Sequence, residues 1–425
     1  MYEQIKTYFQ NLNPDIIVHA PSRINLINPL DAVEADSWMP AMAIEGKVNP
    51  LSVFLYLKYT KKNPKIKLYR IESDKVSDDS RYRIDISMEE ELIHDVQKIK
   101  MKLNGEFKLI YASFYRISQT NIEFWKQIRD YPVEIGILST IPRQSGLGGS
   151  SAIIIALLYG LAEYYGFLNN TENINKLDIP INKDTIAELC TKVEDKDLKI
   201  TAGYSDRYVI TRGGLSFCSY IGKLHHKRIA SEPLAVYDRI DEIYNIRSIP
   251  IIICFSGTYH DSGDVHRKLR MEYLNQNQQI IDKYNKLSEI AWKARFSLMK
   301  RDWKELGQFF KENTMIMNSI MEIAGFKYGI GLANNILIKI IEKNPKVYAA
   351  KLTGAGGGGS VFALVNPDYL DEVFNYWKQS LEDLIKDRTL FKNQFPNYPM
   401  DILDDLKNAD FFRVKINKTG VKKIY

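Results

Sequence analysis

Cysteine is scarce in this chain: Cys190, Cys218 and Cys254 are three isolated residues among 425, set in apolar or helical contexts. That pattern excludes a disulfide framework and reads as three reduced core thiols, which predicts a cytoplasmic location. Long hydrophobic runs are missing as well. No window of about 18 apolar residues occurs, and the opening "MYEQIKTYFQNLNP" reads as a short polar helix without the charged and apolar regions of a secretion signal. No membrane partner is expected. Nor is there a surplus of one charge: 58 basic against 52 acidic residues leave a formal charge of +6 spread over the whole chain. Without a concentrated basic face, no nucleic-acid partner is expected either. Repeats and low-complexity segments are absent. What remains, at 45% apolar and 26% charged residues, is a globular chain long enough for two domains with sizeable cores.

The patterns are mixed α and β. From Asp15 to about Ser219 the stretches "IIVHAPS", "PLSVFLYLKY", "KIKLYRI" and "VEIGILS" read as strands, followed by an apolar helix after Gly149 and a second helix, "DTIAELCTKVEDK". Between Asp78 and Trp125 the charged segment "SMEEELIHDVQKIKMKLNG" predicts a solvated helical excursion from the sheet. Asp264 to Ile323 is helical apart from a turn near Lys300 and Asp302, and the tail adds strands "VYAAKLT", "SVFALV" and "FFRVKIN" around the helix "LDEVFNYWKQSLEDLIKD". The expected division is residues 1–230, carrying a phosphate-binding loop, and residues 231–425.

Three segments carry candidate chemistry. In "PRQSGLGGSSAIIIALL" a strand runs into clustered small residues and then a helix, so free backbone N–H groups and the positive end of the helix dipole face the loop. The segment reads either as a close-packed turn from strand to helix or as a phosphate site over Pro142, Arg143, Gln144, Ser145, Gly146, Leu147, Gly148, Gly149, Ser150 and Ser151. It is no Walker loop, because the required lysine is absent. In "KLTGAGGGGSVFAL" Gly354, Gly356 and Gly359 match G-x-G-x-x-G, but a strand follows instead of a helix, which rules out a dinucleotide fingerprint. Such a loop suits close backbone packing against the phosphate loop or a nucleotide. In "VEDKDLKITAGYSDRYVITRGGLSF", Glu194 and Asp206 stand twelve positions apart, with Asp206 after a glycine-containing turn and before a strand. It reads either as a turn or cap residue or as a carboxylate for proton abstraction or magnesium binding.

Taken in order, "HAPSRINLINPLD", "PRQSGLGGSSA" and "KLTGAGGGGSVFAL" resemble the three motifs of the GHMP small-molecule kinases. Within that superfamily "NPLD", the Pro-Arg-Gln entry to the second motif, "ITAGYSDR" with its following "GGL", and "DSGDVHRKLR" are similar to plant-type glucuronokinases. Tyr204 and Ser205 before Asp206, the segment from Asp78 to Trp125 and a stretched C-terminal region depart from that subgroup.

The resemblance implies an α+β, two-domain GHMP kinase fold, with a ribosomal S5 domain 2-like N-terminal domain and a ferredoxin-like helical and sheet C-terminal domain. It implies an ATP- and magnesium-dependent (Mg2+) transfer of the γ-phosphate to the anomeric hydroxyl of a uronic acid such as glucuronate. ATP would lie on the loop from Pro142 to Ser151 and on Gly356 and Gly357, with magnesium on Ser150 or Ser151 and Glu194. Asp206 would accept or orient the proton of the sugar hydroxyl, and Arg23 would keep it ionised and stabilise the transferred phosphoryl group. Asp31, Tyr204, Arg207 and Arg267 are the expected sugar-binding residues, with Arg143, Arg207 and Arg267 as candidate partners of a uronate carboxylate. Arg143 has the alternative of serving phosphate. His260 and His266 lack further ligand partners and read as surface or substrate-adjacent residues. The expected partner is a small sugar or sugar acid bound by a monomer or homodimer. Galacturonate, galactose, fucose, a heptose phosphate and mevalonate stay open as acceptors, as does a silent ATP- and sugar-binding sensor, against which the joint presence of Arg23, Ser150, Glu194 and Asp206 argues.

Overall fold

A computed structural model describes residues 1–27, 31–33, 38–73, 82–169, 179–219, 236–259 and 262–425. The first half opens with α1 (Tyr2–Gln10), β1 (Ile16–Asn25), β2 (Trp38–Gly46), β3 (Ser52–Tyr59), β4 (Lys65–Ser73) and β5 (Tyr82–Glu91). Helices α2 (Val96–Met101), α3 (Lys108–Thr120) and α4 (Ile122–Asp130) lead to β6 (Val133–Ser139) and the long α5 (Gly149–Tyr164). Next come α6 (Lys183–Lys192), α7 (Ser205–Arg212), β7 (Leu215–Ser219), β8 (Val236–Arg239) and α8 (Ile240–Ile243). The second half holds β9 (Ile251–Phe255), α9 (Ser262–Leu274), α10 (Gln278–Lys300), α11 (Trp303–Ile323), α12 (Leu332–Ile341) and the hairpin β10 (Val347–Thr353) and β11 (Ser360–Val365). It closes with α13 (Leu370–Lys386), α14 (Arg388–Gln394), α15 (Ile402–Leu406), β12 (Asp410–Ile416) and β13 (Lys422–Lys423).

Among the described residues the strands form one mixed sheet in the order β10-β11-β9-β12-β2-β1-β3-β6-β4-β5, with β7 and β13 attached to β2 and β1, and β8 to β7. β1 is central, hydrogen-bonded to β2 and β3, and all ten of its residues are buried. A strand with neighbours on both edges and both faces covered has no polar face to show, which is why "IIVHAPSRIN" lacks the usual alternation. α5 packs on β1 and β3, and its apolar run is buried nearly all round. Gly160 permits that approach, since a side chain there would meet Val18 Cγ2 at 3.2 Å. In the second half α10 and α11 pair as an antiparallel couple, turning where Arg301 takes φ +58° and Asp302 caps α11 through Glu305 N–H at 2.9 Å. The three cysteines are free and buried. No helix among the described residues is long and apolar enough to cross a membrane. The expected boundary near residue 230 lies in 220–235, outside the described residues.

One expectation is corrected. From Tyr82 onward, the segment expected to run from Asp78 to Trp125 as a solvated excursion is not one. Its acidic start forms β5, an edge strand whose Glu89 reaches Lys65 of β4 at 2.7 Å. α3 then buries Ile110, Tyr111, Phe114 and Ile117, spaced as one helical face, in the main core. The charge belongs to the outer edge, and the apolar stripe that follows it docks.

Candidate active site

β1 supplies the first pieces. Ser22 Oγ donates to the Leu147 carbonyl at 2.7 Å and Arg23 N–H to the same oxygen at 3.2 Å, so the strand pins the loop entering α5. That loop needs its glycines. Gly148 stands at φ +82° as the residue before α5, and a Cβ on it would lie 3.1 Å from Arg23 Cγ and 3.2 Å from Ile210 Cδ1. Gly146, at φ +71°, faces the β10–β11 loop: its Cβ would meet the Thr353 carbonyl at 3.0 Å, while one on Gly354 would meet Gly146 Cα at 3.2 Å. The two glycine loops therefore touch backbone to backbone, the first of the two uses expected of the segment from Gly354 to Gly359. Asn25 N–H donates to Thr353 Oγ1 at 3.0 Å and strengthens the same join.

Glu194 is set by a change of helical pitch. α6, capped by Asn182 and Thr185, gives way to a π-turn (Val193–Asp197) closed by Leu198 N–H to the Val193 carbonyl at 3.0 Å. Such wide turns swing a side chain off the regular helical face. Arg116 of α3 holds the turn through Asp197, with Nε 2.9 Å from Oδ2, so the segment expected to be an excursion supports the site. The Glu194 carboxylate is 1% exposed; Ser150 Oγ donates to its Oε1 at 2.6 Å and Ser151 Oγ to its Oε2 at 3.0 Å.

Asp206 lies in the first turn of α7, not in an irregular turn ahead of a strand. Arg207 beside it donates to Glu194 Oε2 from Nε at 2.8 Å and to Asp206 Oδ2 at 3.3 Å. Arg23 donates to Asp206 Oδ2 and to the Gly146 carbonyl. Ser150, Glu194, Arg207, Asp206 and Arg23 thus form a chain, buried except at Ser150, that leaves the phosphate loop and returns to it. Burial by itself would raise the Asp206 pKa, but Arg23 and Arg207 hold the carboxyl below the ordinary carboxylate range. Burial likewise opposes the Arg207 charge, and Glu194 and Asp206 override it and raise its pKa.

The hard oxygen donors Ser150 Oγ, Ser151 Oγ and Glu194 meet at the N-terminal end of α5, a set that suits Mg2+ beside a bound phosphate. Among the described residues no group of three or more His, Cys, Asp or Glu forms a further metal cluster.

The other expected residues are more dispersed. Arg143 and Gln144 are exposed on the loop, Gln144 at φ +53°, while Ser145 is buried and Pro142 partly so. Tyr204 is buried at the start of α7 in a small cluster with Ala187, Tyr208 and Cys218. Asp31 opens the short turn Asp31–Val33. Gly356 and Gly357 sit by the start of α12, where Gly357 N–H donates to the Ile330 carbonyl at 2.8 Å. Arg267 is 62% exposed and paired with Asp264 on its own helix. His260 lies outside the described residues. Arg270 went unrecognised in the sequence, although it joins α9 to the catalytic half, and so did Asn25, whose side chain stands beside Asp206. The signal for Arg270 was its four-residue spacing from His266 in "HRKLR".

Comparison with known proteins agrees with this architecture. The model of the GHMP kinases N terminal domain matches residues 109–214 and that of the GHMP kinases C terminal domain residues 297–383. The chain is 27% identical over 290 residues to probable glucuronokinase 2 of Arabidopsis thaliana, covering 64% of this chain and 72% of that one. It is 29% identical over 231 residues to glucuronokinase 1 of the same plant, covering 54% and 57%, and 25% identical over 233 residues to D-glycero-alpha-D-manno-heptose 7-phosphate kinase of Campylobacter jejuni, covering 54% and 60%. Among solved structures, galactokinase of Lactococcus lactis complexed with galactose superposes with a TM-score of 0.61 at 15% identity, covering 96% of this chain and 95% of that one. Mevalonate kinase of Methanococcus jannaschii superposes with a TM-score of 0.56 at 17% identity, covering 95% and 98%. The N and C terminal domain models of the GHMP kinases thus match this chain in order, its fold is shared with solved kinases along nearly the whole length, and these matches support an ATP-dependent phosphotransferase that acts on a hydroxyl group.

Proposed function

We propose that the protein is a cytoplasmic sugar kinase that transfers the γ-phosphoryl group of ATP to the anomeric hydroxyl of a uronic acid such as glucuronate, working as a monomer or homodimer. The observation that carries the reading is the closed chain from Ser150 through Glu194, Arg207, Asp206 and Arg23 back to the Gly146 carbonyl. It sets a carboxylate for the acceptor hydroxyl beside a loop for phosphate. The backbone N–H groups of Gly146 to Ser151 and the α5 dipole take phosphate oxygens without a Walker lysine. Ser150 or Ser151 and Glu194 would hold magnesium, which would supply neutralisation of phosphate charge. Asp206, kept ionised by Arg23 and Arg207, is too weak a base to remove the hydroxyl proton early. It aligns the hydroxyl and takes the proton as charge moves to the phosphoryl group, while Arg23 offsets that charge.

The uronate carboxylate needs a cation or amide. Arg143 on the open loop is the candidate with its guanidinium exposed beside the phosphate site; Arg207 is engaged by two carboxylates and Arg267 by Asp264. That engagement, with the similarity to a heptose 7-phosphate kinase, favours a neutral or phosphorylated sugar as the second reading. ADP release with magnesium ATP against glucuronate, galacturonate, glucose, galactose, fucose, a heptose 7-phosphate and mevalonate decides between them. Turnover of a uronic acid whose KM rises in Arg143→Ala, with neutral hexoses unaffected, is the expected result. Turnover of the heptose phosphate alone would replace the first reading with the second.

A further inference from the structure

α9 reaches from the second half of the chain into the site. Arg270 donates from Nε to the Ala32 carbonyl at 2.7 Å, and from its terminal nitrogens to Asp195 Oδ1 at 2.8 Å and to the Ala202 carbonyl at 3.0 Å. It clamps the helix against the turn after β1 and against the strap that leads to Asp206. His266 stands four residues earlier, on the same helical face. The charged groups facing its imidazole are Asp206 and Arg207 of α7, Arg23 of β1 and Arg270 on its own helix. Its Nδ1 is buried with no hydrogen-bond partner, Arg23 Nε is likewise unpaired, and the Asp206 carboxylate and the Asn25 amide lie beside one another with bonding capacity to spare.

Buried polar atoms are nearly always paired, because one left unpaired loses its hydration without compensation. His266 Nδ1 and Arg23 Nε, unpaired on either side of the proposed acceptor carboxylate, with spare bonding capacity on Asp206 and Asn25 between them, describe a ligand rich in hydroxyls. We propose that His266 Nδ1 hydrogen-bonds a ring hydroxyl of the acceptor sugar and thereby selects which sugar is phosphorylated. The inference rests on the sugar-kinase reading above. Burial pushes the imidazole pKa down to about 3, so the ring stays neutral and Nδ1 is a donor or an acceptor according to tautomer, either of which a hydroxyl matches. A carboxylate would call for a cation, and the guanidinium of Arg270 is already spent on Asp195 and two carbonyls.

The test is steady-state kinetics of wild type, His266→Phe and His266→Asn on the sugar that turns over fastest and on its single-deoxy analogues. Phenylalanine keeps the ring's bulk without its nitrogens, and asparagine keeps a polar atom near the Nδ1 position. His266→Phe is expected to raise the sugar KM about 10- to 100-fold with the KM for ATP unchanged, and His266→Asn to recover most of the loss. One deoxy analogue should lose affinity in the wild type and lose nothing further in His266→Phe. Unchanged sugar KM in His266→Phe, or equal penalties for every deoxy analogue in both proteins, overturns the inference while the kinase reading stands. A wild type that turns over no sugar defeats the kinase reading and the inference together. Should His266→Phe fail to fold, as thermal unfolding would reveal, the deoxy series on His266→Asn gives the decision: the matching analogue must lose its distinct penalty.

Discussion

Asp206 concentrates the electrostatics of the site, and its removal separates chemistry from binding. Asp206→Asn preserves the side chain's shape but leaves Arg23 and Arg207 without their shared anion. Proton acceptance and hydroxyl alignment are together worth about 10^2- to 10^4-fold in rate, so kcat should fall by that range while ATP still binds to the loop. Titration calorimetry with ATP, run beside the rate assay, checks both halves of the statement; wild-type kcat in the variant would remove Asp206 from the mechanism. The stability effect has a defined pH window. Because the folded pKa is depressed, this carboxylate contributes stability that is fully present above its unfolded value of about 4 and lost as pH falls through the lower folded value. Denaturant unfolding should therefore find Asp206→Asn less stable than wild type at pH 6 to 8, with the gap closing below about pH 4. A gap that widens in acid would contradict the ion-pair account.

At the scale of elements, the site depends on how closely loops are allowed to approach. Gly148 combines a left-handed φ of +82° with Arg23 and Ile210 in contact range of any Cβ. Gly148→Ala adds backbone strain of roughly 1–2 kcal/mol and displaces the guanidinium that reaches Asp206. The expected outcome is a melting temperature lowered by several degrees together with a raised KM for ATP. A variant with a lower melting temperature but unaltered kinetics would show that Arg23 keeps its position. This loop was legible in the sequence because five small residues ahead of an apolar helix have few other uses; Glu194 and Asp206 were legible as candidate carboxylates of one segment, Asp206 also through the similarity of "ITAGYSDR" to the glucuronokinases. β5 and α3 were misread because lysine and glutamate at a sheet edge look like any solvated charge, whereas the docking stripe from Ile110 to Ile117 lies further on. The α9 contacts were hidden for another reason: Arg270 meets the Ala32 carbonyl across 238 positions, and no local pattern marks a partner that far away.

For the molecule as a whole, the final strands tie the two halves into one cooperative unit. We propose that the chain divides near residue 230, yet β12 pairs with β9 from Asp410 to Arg413 and with β2 from Val414 to Ile416. The tail also props the helix that carries Asp206. Val421 N–H donates to the Ile210 carbonyl at 2.9 Å, Gly214 N–H to the Asn417 carbonyl at 2.7 Å, and Val421 is fully buried. Residues 1–230 expressed alone would expose the β2 edge and lose these contacts, and an unpaired interior strand edge invites association with other chains. The expected behaviour is aggregation or the absence of a cooperative melting transition, with solubility and transfer activity restored when residues 231–425 are co-expressed. The reason is directional: β12 belongs by sequence to the second half but closes the sheet of the first, so neither half holds a complete edge without it. If residues 1–230 melted cooperatively near the temperature of the intact chain, the β12 ladder would be an attachment between independent domains and no part of a shared core.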